Sequence, residues 1–303
     1  MPNGLKFNSM NQPLRLDGRT IIITGASRGV GRQYARLLAQ LGANLVLNSA
    51  TAGGLDEVIA EIGVECAVAV TGDIGDPAVP AALVATACER FGALDAVVAN
   101  AGANSGRRTV TEIDDAQLQR MLEVHLFGSW RLVREAWPRL IERDSSRIVL
   151  TTSQFALFGS RGGADYAAAK GAIFGLTRAL ANDAYGTKVK VNAVAPIAAT
   201  DMSDATLSPE AAARFRKRAP AQFVAPLVAL LVHPNCPVNG EVFNCGAGLV
   251  DRIFVAAGRG ATFDIQDISA EAILTHFEQV MAEDGYLVPS RMEELNRLLP
   301  PSQ

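Results

Sequence analysis

One pattern constrains this sequence more than any other: short β-branched runs recur down the chain, each separated from the next by a longer amphipathic stretch. Residues 20–24 (T-I-I-I-T) read as a buried strand, and residues 31–41 as a helix halted at Gly42. The pattern continues with strands at 45–47, 66–70, 96–99, 147–151, 189–192 and 241–244. Helices are expected at 55–62, 79–91, 118–140, 165–185 and 225–232. Strands connected through whole helices run parallel, and right-handed crossovers then cover both faces of the sheet. The sequence therefore predicts the α/β class, a doubly wound parallel sheet in a single domain. Residues 1–12 read as a flexible lead-in and 13–250 as the domain. Residues 251–303 form a C-terminal extension, helical over 270–282, expected to pack on the same domain.

Composition excludes several classes of function. The 303 residues are 49% hydrophobic and 19% charged, which is incompatible with a disordered chain. No apolar run approaches the roughly 18–20 residues of a membrane span. A formal net charge of −3 argues against nucleic acid as a partner. Cys66, Cys88, Cys236 and Cys245 show no C-x-x-C spacing and read as free thiols in a reducing cytoplasm. The run His233-Pro-Asn-Cys236 completes no ligand set, so no metal is expected.

Residues 24–31, T-G-A-S-R-G-V-G, follow the first strand and open the first helix. Glycines there let the backbone turn tightly and approach a pyrophosphate held on the helix N-terminus. The spacing of Gly25, Gly29 and Gly31 is G-x-x-x-G-x-G. An ordinary strand-to-helix turn is the bland alternative; the βαβ context favours a dinucleotide site in a Rossmann fold.

Further motifs stand in order behind it: Asn100-Ala-Gly102 after the fourth strand, Asp73 after the third, and Tyr166-Ala-Ala-Ala-Lys170 with Ser153 thirteen residues before the tyrosine. Together they resemble the short-chain dehydrogenase/reductase family over nearly all of residues 14–250. The context Val124-His125-Leu-Phe-Gly128-Ser129 is similar to the (3R)-hydroxyacyl-CoA dehydrogenase unit of the multifunctional enzyme type 2 group, which is related to 17β-hydroxysteroid dehydrogenase type 4. Many family members carry asparagine where this chain has His125.

Tyr166 and Lys170, four apart on a helix, share one face. A nearby ammonium is expected to lower the phenol toward the working range. A surface Tyr and Lys on an Ala-rich helix is the bland alternative. The resemblance implies that Tyr166 is the general acid/base, that Ser153 hydrogen-bonds the substrate oxygen, and that Lys170 also holds the nicotinamide ribose. His125 reads either as a core histidine or as a proton relay. The resemblance further implies cofactor contacts from Gly25, Ser27, Arg28, Gly29, Val30 and Gly31, from Ser49 and Thr51, and from Asp73 and Ile74. Asn100, Ala101 and Gly102, Tyr166 and Lys170, and Pro196, Ala199 and Thr200 complete that set.

The pair Asn48-Ser49 ends the second strand without the carboxylate that repels a 2′-phosphate, and Arg28 offers a guanidinium to one. NADP(H) is expected over NAD(H). The substrate the resemblance implies is a 3-hydroxyacyl/3-oxoacyl-CoA thioester. A hydroxysteroid or other bulky carbonyl compound and an acyl-carrier-protein thioester are the alternatives. A non-catalytic dinucleotide sensor is the rival from another class, disfavoured by the intact Ser153, Tyr166 and Lys170. The basic run 214–218 reads as a solvated helix face or as a site for coenzyme A phosphates. Assembly as a homodimer or homotetramer follows from the resemblance alone.

Overall fold

The computed structural model describes residues 14–104, 106–204, 207–264 and 266–299, so the expected lead-in at 1–12 lies outside the described residues. One sheet of eight strands forms the centre, in the order β3-β2-β1-β4-β5-β6-β7-β8. Its first half comprises β1 (Thr20–Thr24), β2 (Asn44–Ser49) and β3 (Ala67–Thr71), with helices α1 (Gly29–Gln40), α2 (Gly53–Ile62) and α3 (Ala78–Phe91) between and after them. The second half begins at β4 (Ala96–Ala99) and continues through β5 (Ser146–Thr151), β6 (Val189–Ile197) and β7 (Val242–Gly246). All pairings from β3 across to β7 are parallel.

Ile21, Ile22 and Ile23 are all fully buried, so both faces of β1 are covered, as a parallel sheet requires. The two windings part between β1 and β4, where Ile22 faces Val46 on one side and Val97 on the other. That reversal opens a crevice at the carboxyl ends of the strands.

The long helix expected at 118–140 is compound. α4 (Asp115–Leu122) runs through one π turn, Glu123–Phe127, into α5 (Gly128–Ile141). Two short helices escaped the hydrophobic pattern: α6 (Gln154–Phe158) and α8 (Asp201–Asp204). α7 (Ala164–Asp183) precedes β6, which extends five residues past its expected end. α9 (Pro209–Arg218) and the apolar α10 (Ala225–Val232) lie before β7.

A further strand, β8 (Leu249–Ile253), follows β7 after two residues, Ala247 (φ 52°) and Gly248 (φ 81°). Two consecutive positive φ values make the tight turn of an antiparallel hairpin, and the short exposed strand offered no alternation by which to expect it.

The chain divides into two compact units, residues 1–252 and 253–303. In the second, the helix expected over 270–282 is broken into α11 (Ala270–Thr275) and α12 (Phe277–Val280). The break is at His276, whose N–H is shared between Ala272 O (3.3 Å) and Ile273 O (3.1 Å), a tightening that ends α-helical bonding. No helix among the described residues is long and apolar enough to cross a membrane.

Candidate active site

The crevice is built by a small hydrogen-bond lock. Thr24 Oγ1, at the end of β1, accepts from the N–H groups of Asn100 and Ala101, each at 3.0 Å. Asn100 Nδ2 donates back to Thr24 O at 3.0 Å and Gly25 O at 3.3 Å. The three glycines are bare for steric reasons. A Cβ on Gly25 (φ +66°) would lie 2.8 Å from Ala101 Cα, and one on Gly31 would lie 2.1 Å from Gly25 O. Gly29 (φ +56°) brings its backbone against Thr200, whose Cγ2 would be 3.2 Å from an added Cβ. Helix α1 starts with no side-chain cap, leaving its first N–H groups turned to the crevice mouth without a side-chain acceptor. This cradle fits the pyrophosphate of a dinucleotide.

Around it, Val30 packs against the core, and Ser27 Oγ lies 2.9 Å from Ser49 Oγ, with Ser49 only 8% exposed. No carboxylate ends β2, and Thr51 is exposed beyond it. Arg28 faces Asp201 of α8 at 3.5 Å, both side chains largely in solvent. Asp73 Oδ1 accepts from Gly75 N–H (2.9 Å), and its other oxygen pairs with Arg120. Burial works to raise the Asp73 carboxyl, but Arg120 and the Gly75 N–H outweigh it and bring it below its ordinary value. Ile74 is buried under Gly128. Past Pro196, Ala199 N–H donates to Ala219 O (2.7 Å), and Thr200 N–H to Ser203 Oγ (2.9 Å). These bonds hold the segment across the glycine-rich loop.

The structure brings Ser153, Tyr166, Lys170 and His125 together at the same end of the sheet. Ser153 caps α6, its Oγ accepting from Phe155 N–H at 3.3 Å. Its hydroxyl also acts on Tyr166, favouring the ionised phenol. Lys170, 4% exposed, donates from Nζ to Thr151 O at 2.6 Å, while Thr152 Oγ1 donates to Lys170 O at 2.8 Å. His125 lies in the π turn, 1% exposed, with its ring edge-on to Tyr166 at 5.3 Å between centroids. Its ring covers Gly102, where a Cβ would come 2.7 Å from Cε1. His125 Nε2 is 3.0 Å from Ala103 O, and Nδ1 is buried without a hydrogen-bond partner.

The charges differ from the sequence expectation. Burial raises the Tyr166 phenol, and only the neighbouring Ser153 hydroxyl opposes it. The expected lowering by a Lys170 ammonium is absent because Lys170 is itself buried and pushed down to about 7. Its amine is also turned toward Thr151 O rather than the phenol. Burial first, and then Lys170, hold the His125 ring well below its ordinary value, so it is neutral at physiological pH.

Sequence reasoning missed three partners here: Asp201 facing Arg28, Arg120 on Asp73, and the π turn. The first two are long-range ion pairs with no spacing signal; Arg120 lies five residues before His125 on the same compound helix.

A nucleotide cradle at the sheet's switch point, with a Ser–Tyr–Lys set beside it, defines a Rossmann-type oxidoreductase that uses a nicotinamide cofactor. Comparison places it further: the short chain dehydrogenase family profile matches residues 19–211, and the chain belongs to the short-chain dehydrogenase/reductase family. It is 38% identical to a short-chain type dehydrogenase/reductase of Mycobacterium tuberculosis over 83% of this chain and 92% of that protein. It is 32% identical to the peroxisomal multifunctional enzyme type 2 of Mus musculus, over 94% of this chain but 40% of the mouse protein. The full-length peroxisomal multifunctional enzyme type 2 of Drosophila melanogaster superposes with a TM-score of 0.78 at 27% identity, covering 94% of this chain and 49% of that one. The chain thus spans about half the length, or less, of these two multifunctional enzymes.

Proposed function

We propose that this enzyme interconverts a secondary alcohol and a ketone, with a 3-hydroxyacyl/3-oxoacyl-CoA thioester as its substrate class and NADP(H) as its preferred cofactor. The observation that carries the reaction is the placement of Tyr166, edge-on to His125, with Ser153 acting on its phenol and the buried Lys170 amine one helical turn away. The nicotinamide, when bound, supplies or accepts the hydride. In the reductive direction Tyr166 gives its phenolic proton to the carbonyl oxygen as that oxygen gains charge. Ser153 donates its single hydroxyl proton in a hydrogen bond to the same oxygen. Lys170, poised near 7, takes up and returns a proton close to working pH. Neutral His125, with an unpartnered Nδ1, is the relay group next to the Tyr166 ring.

The thioester assignment rests on the V-H-L-x-G-S context and on the likeness to multifunctional enzymes type 2. Within the basic run 214–218, Arg216 is engaged by Asp204 (2.8 Å), while Arg214, Lys217 and Arg218 are exposed outside any ion pair among the described residues. The NADP(H) assignment rests on the absence of a carboxylate at the end of β2 and on Arg28 beside the glycine loop. Assembly as a homodimer or homotetramer belongs to the same reading.

The test is the Tyr166→Phe variant with acetoacetyl-CoA and NADPH. Cofactor affinity should stay within a few-fold of wild type, while kcat drops at least 100-fold. Turnover within a few-fold of wild type would remove Tyr166 from its role.

A further inference from the structure

The mouth of the site carries a cation that the reaction does not use. Phe155 stands two residues after Ser153 and meets the Tyr166 ring edge-on, 6.4 Å between centroids at 87°. Arg107 lies over the Phe155 ring, its guanidinium carbon 5.4 Å from the centroid. Arg107 is exposed, and among the described residues no carboxylate lies within ion-pair distance of it.

Other arginines of the domain are different. Arg108 is held by Gln117, Arg120 by Asp73, Arg28 by Asp201 and Arg216 by Asp204. Glu112 is occupied by the N–H and hydroxyl of Thr109, each at 2.7 Å.

The backbone beneath Arg107 is fixed to the catalytic helix. Gly163 N–H donates to Arg108 O at 2.9 Å, and a Cβ on Gly162 (φ +77°) would lie 3.3 Å from Arg107 C. Residues 107–108 are therefore strapped to the turn that starts α7, three residues before Tyr166. That turn carries Arg161, also exposed and outside any ion pair among the described residues. A guanidinium stacked on an aromatic ring keeps its in-plane N–H fork free for an anion.

We infer that Arg107 is an anion-binding residue of the substrate site, so the substrate carries a phosphate or carboxylate beyond its reacting carbonyl. Its carbon skeleton lies along Phe155 between Tyr166 and Arg107. This rests on the carbonyl reading above and assigns the residue that meets the substrate's charge.

The experiment uses calorimetry on the enzyme loaded with oxidised cofactor, which cannot reduce a ketone. One arm pairs acetoacetyl-CoA with S-acetoacetyl-pantetheine, which keeps the whole pantetheine arm and lacks the phosphate-bearing nucleotide end. The other pairs acetoacetate with methyl acetoacetate. Arg107→Gln should weaken binding of the charged member of one pair by about tenfold or more and leave its neutral partner within twofold. Loss in the first arm identifies a phosphate, loss in the second a carboxylate. Arg107→Lys should recover part of the loss, and high salt should shrink it. Equal weakening of charged and neutral members, or weakening of neither, overturns the inference. Wild-type turnover of the two neutral ketones with reduced cofactor is measured separately. Failure there sinks the carbonyl reading and leaves the binding result standing.

Discussion

Replacing Lys170 by methionine keeps much of the side-chain volume and removes the amine, with a stability consequence opposite to the usual loss at a buried site. The amine is pushed from its ordinary 10.5 to about 7 by burial. Below pH 7 folded and unfolded chains both hold the proton, and the folded state bears the full cost of a buried ammonium, about 5 kcal/mol. Between 7 and 10.5 the unfolded chain holds a proton that the folded chain has released, so wild-type stability climbs by about 1.4 kcal/mol per pH unit. The variant lacks this group and its slope. Loss of the 2.6 Å bond from Nζ to Thr151 O offsets part of the gain, by about 1–2 kcal/mol. Lys170→Met should therefore be more stable than wild type at pH 6, by about 3 kcal/mol, and inactive. Between pH 6 and pH 9 the gap should narrow by about 3 kcal/mol as wild type catches up. Urea unfolding of both proteins at the two pH values measures it. A stability difference that does not change with pH would refute the reasoning, whatever its sign.

Three other perturbations test the rest of the site. Gly31→Ala places a methyl 2.1 Å from Gly25 O, so cofactor affinity by fluorescence titration should fall at least tenfold; an unchanged affinity would count against the cradle. His125→Ala should lower kcat more than cofactor affinity, while His125→Asn restores much of the rate. An Asn variant that folds normally yet is as slow as the Ala variant would argue against a relay. For cofactor choice, wild type should favour NADPH, Ser49→Asp should move kcat/KM toward NADH, and Asp201→Asn should sharpen the NADPH preference by freeing Arg28 from its partner. A tenfold wild-type preference for NADH would reverse that assignment.

Sheet and crevice were legible because their signals are local. β1, β4 and α10 match their expected bounds; β1 and β4 are short apolar runs between polar or glycine-rich flanks, and α10 is an apolar run that stops at His233-Pro234. The glycine loop was legible for the same reason: its three positions sit within seven residues. Where the fold depended on distant contacts, the pattern was silent. α6 is a five-residue helix with no buried residue, so hydrophobic periodicity has nothing to register, although its cap is Ser153 itself. β8 is largely exposed and is defined by pairing with β7 rather than by its own residues. The electrostatic expectation for Tyr166 misjudged burial. Helical spacing gives the shared face of Tyr166 and Lys170, but not the depth at which the amine sits.

The π turn at Glu123–Phe127 has a consequence for the whole compound helix. Buried positions run from Met121 through Val124, His125, Gly128, Ser129, Leu132, Val133 and Ala136 to Leu140. That stripe makes five circuits in nineteen residues, whereas five α-helical turns take eighteen. The chain therefore carries one residue more than a regular helix could hold without its apolar seam drifting round toward water. The wider turn absorbs the surplus, and Ser129 Oγ donates to His125 O at 2.8 Å across it. It works as a vernier: α4 keeps its register against α7, α5 keeps its own against the sheet, and the slack between them is taken up where His125 turns in beside Tyr166.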